Sequence, residues 1–361
     1  MRDLAVIGQD PGFAGGALAQ MEAFLDGARS LEREPRLVYV PHPGLSGGGS
    51  ALDRIEPLRL LRGSRRIARE LRGTRARWVV AALATHGLPA RLAGGPYACW
   101  IGTSLARENA GRAPGLRPSR RVALSVNAPA LRVIERAVLR GATRIFATSP
   151  ASRAGVADAA GLAAEQVAIL PIPVDTERFV PLPDEAWLSG LDRPVLAFVG
   201  RGDDPRKNLP LALEAVSLIR RRMPAATLRV IGSGAPAGGD GVERLGELPS
   251  IAAALRESAL LVLPSRQEGF GIVAAEALAS GVPVVATPSG GPEQLLNVSG
   301  GGRVLRGFAA AELAAATEEL LADPSRLLAM RHAGRRYVER EHSVATFRSR
   351  LRDAFEQTDA A

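Results

Sequence analysis

The amino-acid sequence predicts an α/β protein built from two doubly wound units that follow one another along the chain. Short apolar runs, each bounded by glycine, proline or charge, alternate with longer stretches whose apolar residues recur at helical spacing. A segment rich in proline interrupts this alternation near the middle of the chain. The alternation then starts again, which indicates a second unit of the same class.

In the first half, the apolar runs predict buried strands and the stretches between them predict helices. Runs that are apolar almost throughout are typical of parallel strands covered by helices on both faces. We expect strands at 3–8, 36–40, 78–83, 97–102, 144–149 and 167–172, and helices at 16–30, 54–72 and 127–140.

The segment 171–194 is predicted to link the two halves. Prolines 171, 173, 181 and 183 lie in it. Because proline fixes φ and removes an N–H donor, we expect neither a helix nor a central strand here. Beyond it we expect strands at 195–200, 227–232, 260–265 and 282–287, helices at 208–222 and 272–280, and a charged helical segment at 325–357.

The composition narrows the classes of function. Apolar residues make up 46% of the 361 residues, which is enough for real cores, and the formal net charge is +9. This charge suits an acidic partner such as a phosphate, an anionic membrane or a nucleic acid. Only 4% of the residues are aromatic, which argues against a protein that stacks on nucleobases.

Cys99 and the N-terminal residues bear on the compartment. Cys99 is the single cysteine and is predicted as a buried strand residue, so no disulfide is expected within the chain. The first apolar run is too short for a signal peptide, and no stretch approaches the ~18 apolar residues of a membrane span. We therefore expect a cytoplasmic protein, either free or peripheral on the inner face of the membrane.

Lys207 lies in the stretch RGDDPRKNLP, directly after the predicted strand 195–200. It is the one lysine among the 46 Lys and Arg residues. A planar guanidinium does not imitate a compact ammonium well, so a retained lysine suggests a position that needs a point charge. Arg201 precedes it by six residues, and both cations can reach the start of the next helix, where anions are favoured. This spacing predicts a diphosphate site, and the alternative is an ordinary solvated loop.

Glu268 and Glu276 flank the start of a helix in the stretch LPSRQEGFGIVAAEALASG. Ligands in parallel sheets bind beyond the carboxyl ends of strands, and this stretch follows strand 260–265. Gly269 and Gly271 allow backbone amides to approach a ligand closely. Carboxylates are good acceptors for sugar hydroxyls. The alternative is one capping and one solvated glutamate, but the alanines around Glu276 predict a helix packed on the sheet, where this charge needs a ligand.

Together, VGRGDDPRKNL and PSRQEGFGIVAAEALASGVPVVATPSGGPEQLL resemble the family-4 retaining glycosyltransferases. That family has the GT-B architecture, in which two Rossmann-like domains face a central cleft, and Glu268 and Glu276 match its Glu-x7-Glu signature. The resemblance covers most of residues 75–345. It implies an acceptor-side domain at 1–175 and a nucleotide-sugar-binding domain at 176–342, with a C-terminal helix at about 343–361 packing back on the first domain.

The resemblance also implies the chemistry. A sugar would pass from a nucleoside-diphosphate donor to a glycan, a lipid-linked molecule or a small molecule, with its anomeric configuration retained. Two cations would take the place of a metal ion, so neither a metal nor another cofactor is expected. The residues carried over are Arg201 and Lys207 for the diphosphate, Glu268, Gly269 and the amides of Phe270 and Gly271 for the sugar and phosphate, and Glu276 for the ribose.

Two features of the first half, a glycine-rich loop and a histidine, are also expected to contribute to the binding site. Gly15 and Gly16 occupy the place of the family's glycine-rich loop, and the Gly-x-Gly-x-x-Gly fingerprint of a dinucleotide dehydrogenase is absent. His86 follows strand 78–83 and is expected to contact the donor or acceptor sugar, with a structural histidine as the alternative. Ile101 stands where the family commonly has a histidine, a departure that bears on the choice of donor.

Two basic stretches remain. Residues 58–78 carry eight arginines on a helical pattern, which indicates either a solvated helix or a peripheral contact with an anionic membrane that holds a lipid-linked acceptor. Residues 107–121 are predicted as a mobile basic loop near the acceptor.

Two other classes of function stay open. Another GT-B enzyme, such as a nucleotide-sugar epimerase that hydrolyses its donor, would release free sugar or nucleotide without an acceptor. A non-enzymatic nucleic-acid-binding protein is suggested by the charge alone and lacks a recognised binding module, so we expect no nucleic-acid partner.

Overall fold

The computed structural model describes residues 3–9, 16–40, 56–235 and 239–359. The chain divides into two compact units. The first unit comprises residues 1–110, 116–173 and 347–361, and the second comprises residues 111–115 and 174–346. The sequence prediction sets the division after residue 175 and the return of the chain at about residue 343.

A parallel sheet forms the centre of the first unit. Within the described residues its strands are β1 (Asp3–Gln9), β2 (Glu34–Val40), β3 (Ala76–Ala81), β4 (Ala98–Ile101), β5 (Arg144–Ala147) and β6 (Ala168–Ile169). Their order in the sheet is β2-β1-β3-β4-β5-β6. The chain visits β2 on one side of β1 and returns to β3 on the other, so the topological switch point lies between β1 and β3.

Helices alternate with these strands. They are α1 (Gly16–Ser30), α2 (Glu56–Glu70), α3 (Leu88–Ala93), α4 (Leu105–Arg112), α5 (Pro118–Gly141) and α6 (Pro150–Ala160). The ends of α6 show how local sequence sets these bounds. Ser149 is its N-cap and accepts a hydrogen bond from the amide of Ser152 at 3.0 Å, and Gly161 ends the helix in the left-handed region.

The second unit repeats the plan. Its described strands are β7 (Val195–Val199), β8 (Thr227–Ile231), β9 (Val242–Gly246), β10 (Leu260–Leu263), β11 (Val284–Ala286) and β12 (Gly302–Val304). All are parallel, in the order β12-β11-β10-β7-β8-β9. Because the chain runs from β7 to one edge and returns to β10, the switch point lies between β7 and β10.

The remaining helices follow the same alternation. They are α7 (Asp184–Ser189), α8 (Leu209–Ile219), α9 (Ala252–Arg256), α10 (Ile272–Ala279), α11 (Gly291–Ser299), α12 (Ala310–Leu321), α13 (Pro324–Glu341) and α14 (Val344–Asp359). The charged segment expected at 325–357 is therefore two helices, with a break after Glu341.

The last helix, α14, packs on aromatic side chains of the first unit. The ring of Phe355 lies 5.3 Å from Trp78 and 5.7 Å from Phe24, measured between centroids. Trp100 stacks on Phe347 at 5.4 Å. Because truncation of a buried Phe or Trp costs roughly 3–5 kcal/mol, these contacts attach α14 firmly to the first unit.

Two expectations about local structure are wrong. The proline-rich segment does contain a helix, because α7 begins directly after Pro183, and its Trp187 is buried and donates its indole N–H to the carbonyl of Ser258 at 2.9 Å. Residues 107–121 are not a loop. They lie in α4, a 3₁₀ turn at Ala113–Gly115, and the start of α5, where Pro118 takes the first helical position.

None of the helices within the described ranges is long and apolar enough to cross a membrane.

Candidate functional site

The candidate site lies at the switch point of the second sheet, where loops follow β7 and β10. After β7 the chain turns twice: the amide of Asp204 donates to the carbonyl of Arg201 at 3.2 Å, and the amide of Lys207 donates to that of Asp204 at 3.0 Å. A Cβ atom at Gly200, where φ is 152°, would lie 3.1 Å from Cγ and Cδ of Lys207. Glycine at this position therefore leaves room for the lysine side chain.

Lys207 contacts Glu268 from the neighbouring loop. Its Nζ lies 2.7 Å from Oε1 of Glu268, and the two side chains are 21% and 14% exposed. The hydroxyl of Ser265 donates to the same oxygen at 2.7 Å. Water screens the attraction in a half-buried ion pair less than in a surface pair. The contact is therefore strong enough to hold both side chains in place. An ammonium has three donors, so the pair keeps capacity to bind an anion.

The two arginines of the first loop have different surroundings. Arg206 donates from Nη2 to Oδ2 of the buried Asp204 at 2.7 Å and from Nε to Oδ1 at 3.2 Å. Burial by itself raises the pKa of Asp204, but the hydrogen bonds and charge of Arg206 outweigh it and lower the pKa to about 2. To the residues that the structure describes, Arg201 makes only long contacts, 3.6 Å to Asp203 and 3.9 Å to Asp204, and its side chain is 43% exposed. Arg201 is therefore the more available cation for a ligand.

The loop after β10 is held by backbone contacts with the segment that precedes α11. The amide of Glu268 donates to the carbonyl of Ser289 at 2.8 Å, and the amide of Gly291 donates to the carbonyl of Glu268 at 3.1 Å. The predicted role of Glu268 needs a fixed carboxylate, and these bonds fix the backbone that carries it.

Helix α10 begins beside this loop, after Gly271. Gly271 has a φ of 83°, and a Cβ atom there would lie 2.5 Å from Cγ of Pro292. As the N-cap residue, Gly271 has no side chain that could cap the first amides of α10. Such an N-terminus favours an anion, as expected for a diphosphate site. The ring of Phe270 is buried against His342, with centroids 5.2 Å apart, so its backbone rather than its side chain is suited to bind a ligand.

Glu276 lies on α10 and is partly buried. Desolvation raises the pKa of its carboxyl group to about 7, while the charges of Arg178 and Lys207 act in the opposite direction. Within the part of the chain that the structure describes, its carboxylate accepts no hydrogen bond. A carboxylate with unused acceptors beside two cations is suited to bind hydroxyl groups.

The residues predicted in the first unit have other surroundings. Gly15 lies outside the described residues, and Gly16 is the first residue of α1. His86 lies in a 3₁₀ turn after β3 and is 4% exposed, with Nδ1 3.1 Å from the carbonyl of Leu83. Burial lowers the pKa of His86, so the ring is neutral near pH 7. Its contact with a sugar stays a prediction, as does a role for Gly16.

Two non-catalytic predictions for β4 can also be compared with the structure. Ile101 ends this strand and is fully buried. Cys99 is buried in the same strand, and burial raises the pKa of its thiol. A thiol in this state is inert, in agreement with its expected place in the core.

Sequence reasoning missed three residues near the site. Ser265 holds the Glu268 carboxylate, and Asn208 joins the two loops. Arg178 lies near enough to Glu276 to influence its charge, and it donates to Ser250 and to the carbonyl of Pro249. The contacts of Asn208 and Arg178 reach residues distant in the sequence, so no local pattern reveals them, whereas Ser265 lies only three residues before Glu268.

Among the residues that the structure describes, no group of three or more His, Cys, Asp or Glu side chains is arranged to hold a metal ion.

Part of the chain is similar in sequence to known glycosyltransferases. Residues 193–323 match the family model described as Glycosyl transferases group 1. The chain is 30% identical over 221 residues to the D-inositol 3-phosphate glycosyltransferase of Nocardia farcinica. The matched residues make up 54% of this chain and 49% of that protein. It is 32% identical over 265 residues to the GDP-mannose-dependent alpha-(1-6)-phosphatidylinositol monomannoside mannosyltransferase of Mycobacterium tuberculosis. Here the matched residues make up 64% of this chain and 66% of that protein. The chain thus spans about half to two thirds of these relatives.

A solved structure is similar over the full length. The crystal structure of HepE from Anabaena, in complex with UDP and glucose, covers 99% of this chain and 100% of its own, with a TM-score of 0.73 and 16% identity. At this identity the likeness concerns the fold, which consists of two parallel-sheet Rossmann-like domains. Residues 193–323 are thus similar to a group 1 glycosyltransferase domain, and the fold of the chain is of the GT-B type.

Proposed function

We propose that the chain is a family-4 retaining glycosyltransferase that moves a sugar from a nucleoside-diphosphate donor to a hydroxyl of a glycan, a lipid-linked molecule or a small molecule. The observation that carries the proposal is the 2.7 Å contact between Lys207 and Glu268 beside the uncapped start of α10. All three features fall within residues 193–323, the segment that matches the group 1 family.

The proposed mechanism gives each side chain one task. When the bond between the anomeric carbon and the diphosphate oxygen breaks, the diphosphate leaves with the electron pair. The acceptor oxygen bonds to the same carbon, and its proton passes to the leaving diphosphate oxygen. Lys207, Arg201 and the first amides of α10 stabilise the charge that grows on the leaving group. Glu268 accepts hydrogen bonds from the sugar, and Glu276 accepts them from the ribose.

The proposal includes independence from divalent metal ions. A diphosphate can be neutralised by an ammonium, a guanidinium and a helix N-terminus, and the second unit has all three: Lys207 and Arg201 in the loop after β7, and the start of α10 after β10. We expect transfer to continue in excess EDTA. Loss of transfer that Mg²⁺ or Mn²⁺ restores would contradict this part of the proposal alone.

The central experiment is a donor screen by thermal shift, followed by mass spectrometry of products. GDP-mannose and UDP-glucose are the first donors to test, because a relative is named as GDP-mannose-dependent and HepE was solved with UDP and glucose. We expect one nucleotide sugar to raise the melting temperature and a glycosylated acceptor to appear. Free sugar without an acceptor would indicate a hydrolase or epimerase. Salt-sensitive binding of DNA without binding of nucleotide sugars would contradict the proposal.

We also propose that the acceptor side of the first unit contacts an anionic membrane. On α2, Leu60, Ser64, Ile67 and Ala68 are buried, and the opposite face exposes arginines 62, 65, 66 and 69. The adjacent helix α5 exposes 62% of Val122, 72% of Val126 and 69% of Val133, which share one helical face. Exposed apolar residues beside arginines are the combination that binds an anionic lipid surface.

Flotation with vesicles measures this contact. We expect binding to vesicles that contain anionic phospholipid at low ionic strength, weaker binding at high ionic strength, and no binding to neutral vesicles. Replacement of both Val122 and Val126 by Ser is expected to reduce binding, whereas Val298→Ser, at an exposed valine of the second unit, serves as the matched control. Absence of binding to anionic vesicles at low ionic strength would leave these residues as solvated surface.

A further inference from the structure

We infer that Asn208 is a positioning residue: it ties the loop after β7 to the loop after β10 and thereby sets the place of the Lys207 ammonium. The inference deepens the proposed function and rests on it, because it concerns the same diphosphate site. Asn208 is 7% exposed and precedes α8 directly.

The backbone of Asn208 is in the left-handed region, with φ 53° and ψ 42°. Of the described residues other than glycine, Glu32 is the only other one with positive φ. This conformation is unfavourable for most L-residues, and asparagine tolerates it better than most. It reverses the chain between Lys207 and α8. The residue type at this position therefore fixes the direction in which the lysine leaves the loop.

The side chain of Asn208 is used between loops rather than at the helix end. An asparagine before a helix ordinarily accepts hydrogen bonds from the first amides of that helix. Here the side chain makes no capping bond to α8. Its Nδ2 instead donates to the carbonyl of Pro264 at 3.1 Å, and its Oδ1 accepts from Nη2 of Arg266 at 3.3 Å. A role limited to helix capping is thus inconsistent with the contacts.

A third bond completes the clasp, by which we mean the contacts between residues 206–208 and residues 264–266. The amide of Arg266 donates to the carbonyl of Arg206 at 2.7 Å. Lys207 lies inside one half of the clasp, and Glu268 follows the other half by two residues. The clasp therefore brings together the two backbones whose side chains meet at 2.7 Å.

The clasp restricts the movement of the flexible Lys207 side chain. A lysine side chain loses rotamer entropy when it is held in one geometry, and a fixed backbone on both sides reduces the movement that remains. Without the Asn208 amide, the two loops would keep the Arg206–Arg266 backbone bond but lose the contacts on the far side of Lys207. The ammonium would then occupy the diphosphate position for a smaller part of the time.

The first experiment compares Asn208→Gly with the unaltered protein. Glycine keeps the left-handed backbone and removes the amide. We expect affinity for the free nucleoside diphosphate, either GDP or UDP, to fall about 3- to 10-fold in calorimetry. We expect the melting temperature to change little. Glu32→Gly, at the other positive-φ residue, is the matched control and should leave affinity unchanged.

The second experiment asks whether Asn208 acts through Lys207. In the Lys207→Ala background, Asn208→Gly should produce no further loss of nucleotide affinity, because the group that it positions is gone. An equal loss in both backgrounds would overturn the inference. If Asn208→Gly does not fold, Asn208→Ser, whose hydroxyl is too short to reach Pro264, enters the same cycle.

The outcomes separate this inference from the proposed function. Failure of the unaltered protein to bind either GDP or UDP would contradict the diphosphate site itself. Binding by the unaltered protein together with unchanged affinity in Asn208→Gly would overturn only the role of Asn208.

Discussion

Glu135 in the first unit and Glu276 in the second have pKa values raised by burial to about 7, yet their surroundings differ. Glu135 is 2% exposed and accepts a hydrogen bond from the amide of Leu105 at 2.8 Å, so it caps α4. Glu276 accepts no hydrogen bond from the described residues and lies near two cations. A raised pKa therefore does not by itself identify a functional group. Unused acceptors in reach of a ligand make the difference.

The largest effect is expected at Lys207, one of the two cations whose charge lowers the pKa of Glu276. Lys207→Ala should lower turnover roughly 100- to 1000-fold, because removal of one donor to a developing charge has effects of this size. Lys207→Arg should also be impaired, since a guanidinium cannot occupy the same point. Steady-state kinetics with the donor found by screening measures both. Arg221→Ala, which removes an exposed charge elsewhere, is the control, and turnover at the unaltered level in Lys207→Ala would contradict the assignment.

A smaller effect should separate Glu276 from its neighbour Glu268. Glu276→Ala is expected to weaken binding of the free nucleotide about 10- to 100-fold, since hydrogen bonds to a charged acceptor are lost. Glu268→Ala should mainly lower turnover and affect nucleotide affinity less. Calorimetry that shows the reverse order would mean that the two roles are exchanged.

The pH dependence of this binding follows from the pKa of Glu276. The ionised carboxylate is the better acceptor, so nucleotide affinity should fall as the pH is lowered through about 7. In Glu276→Gln this component should disappear. The difference between the two proteins isolates it from the titration of the nucleotide. A difference that stays constant from pH 6 to pH 8 would argue against Glu276 as a ligand.

The last effect is expected at Glu135 and concerns stability rather than binding. Because burial raises its pKa in the folded state to about 7, the folded protein binds a proton that the unfolded chain releases above pH 4.5. The stability that this proton confers is fully present below pH 4.5 and is lost as the pH rises to about 7. Glu135→Gln keeps an acceptor for Leu105 and should stabilise the protein at pH 8 by at most about 3 kcal/mol.

Denaturant unfolding at pH 8 and pH 5 measures this difference. The gain should shrink at pH 5, where most Glu135 carboxyl groups are already protonated in the folded state. Nucleotide affinity should be the same in both proteins. A gain that is equal at both pH values would show that the charge of Glu135 does not cause it.

Much of the fold follows from sequence, since the apolar runs mark the central strands of both sheets. The short strands β9 and β12 were not expected, because VERLG and GRV lack the apolar continuity of a buried strand. They are the two edge strands of the second sheet, where contacts with the neighbouring strand, rather than local sequence, determine that a strand forms. The charge of residues 107–121 suggested a loop, although long stretches of α4 and α5 expose basic side chains to solvent.

The candidate site was predictable only in part. Lys207 and Glu268 follow strands and carry charge, so their positions could be inferred and the structure brings them together. The contacts of Asn208 could not, because they reach across to a loop whose place is set by the sheet order rather than by local sequence. The bond from Ser265 to Glu268 spans only three residues and was within reach of sequence reasoning. The burial of His86 likewise depends on a 3₁₀ turn that the strand pattern does not reveal.

The presence of one lysine in the sequence has a consequence for chemical labelling. An acylating reagent that modifies ε-amino groups has a single such target in this chain, the Nζ atom that contacts Glu268. Peptide mass mapping after brief exposure, which separates this site from the α-amino group, would therefore give the extent of modification of Lys207 alone. A bound diphosphate should slow this modification. A protease specific for lysine likewise has one cleavage position, between Lys207 and Asn208. Its rate would report how often the clasp opens, without any substitution in the protein.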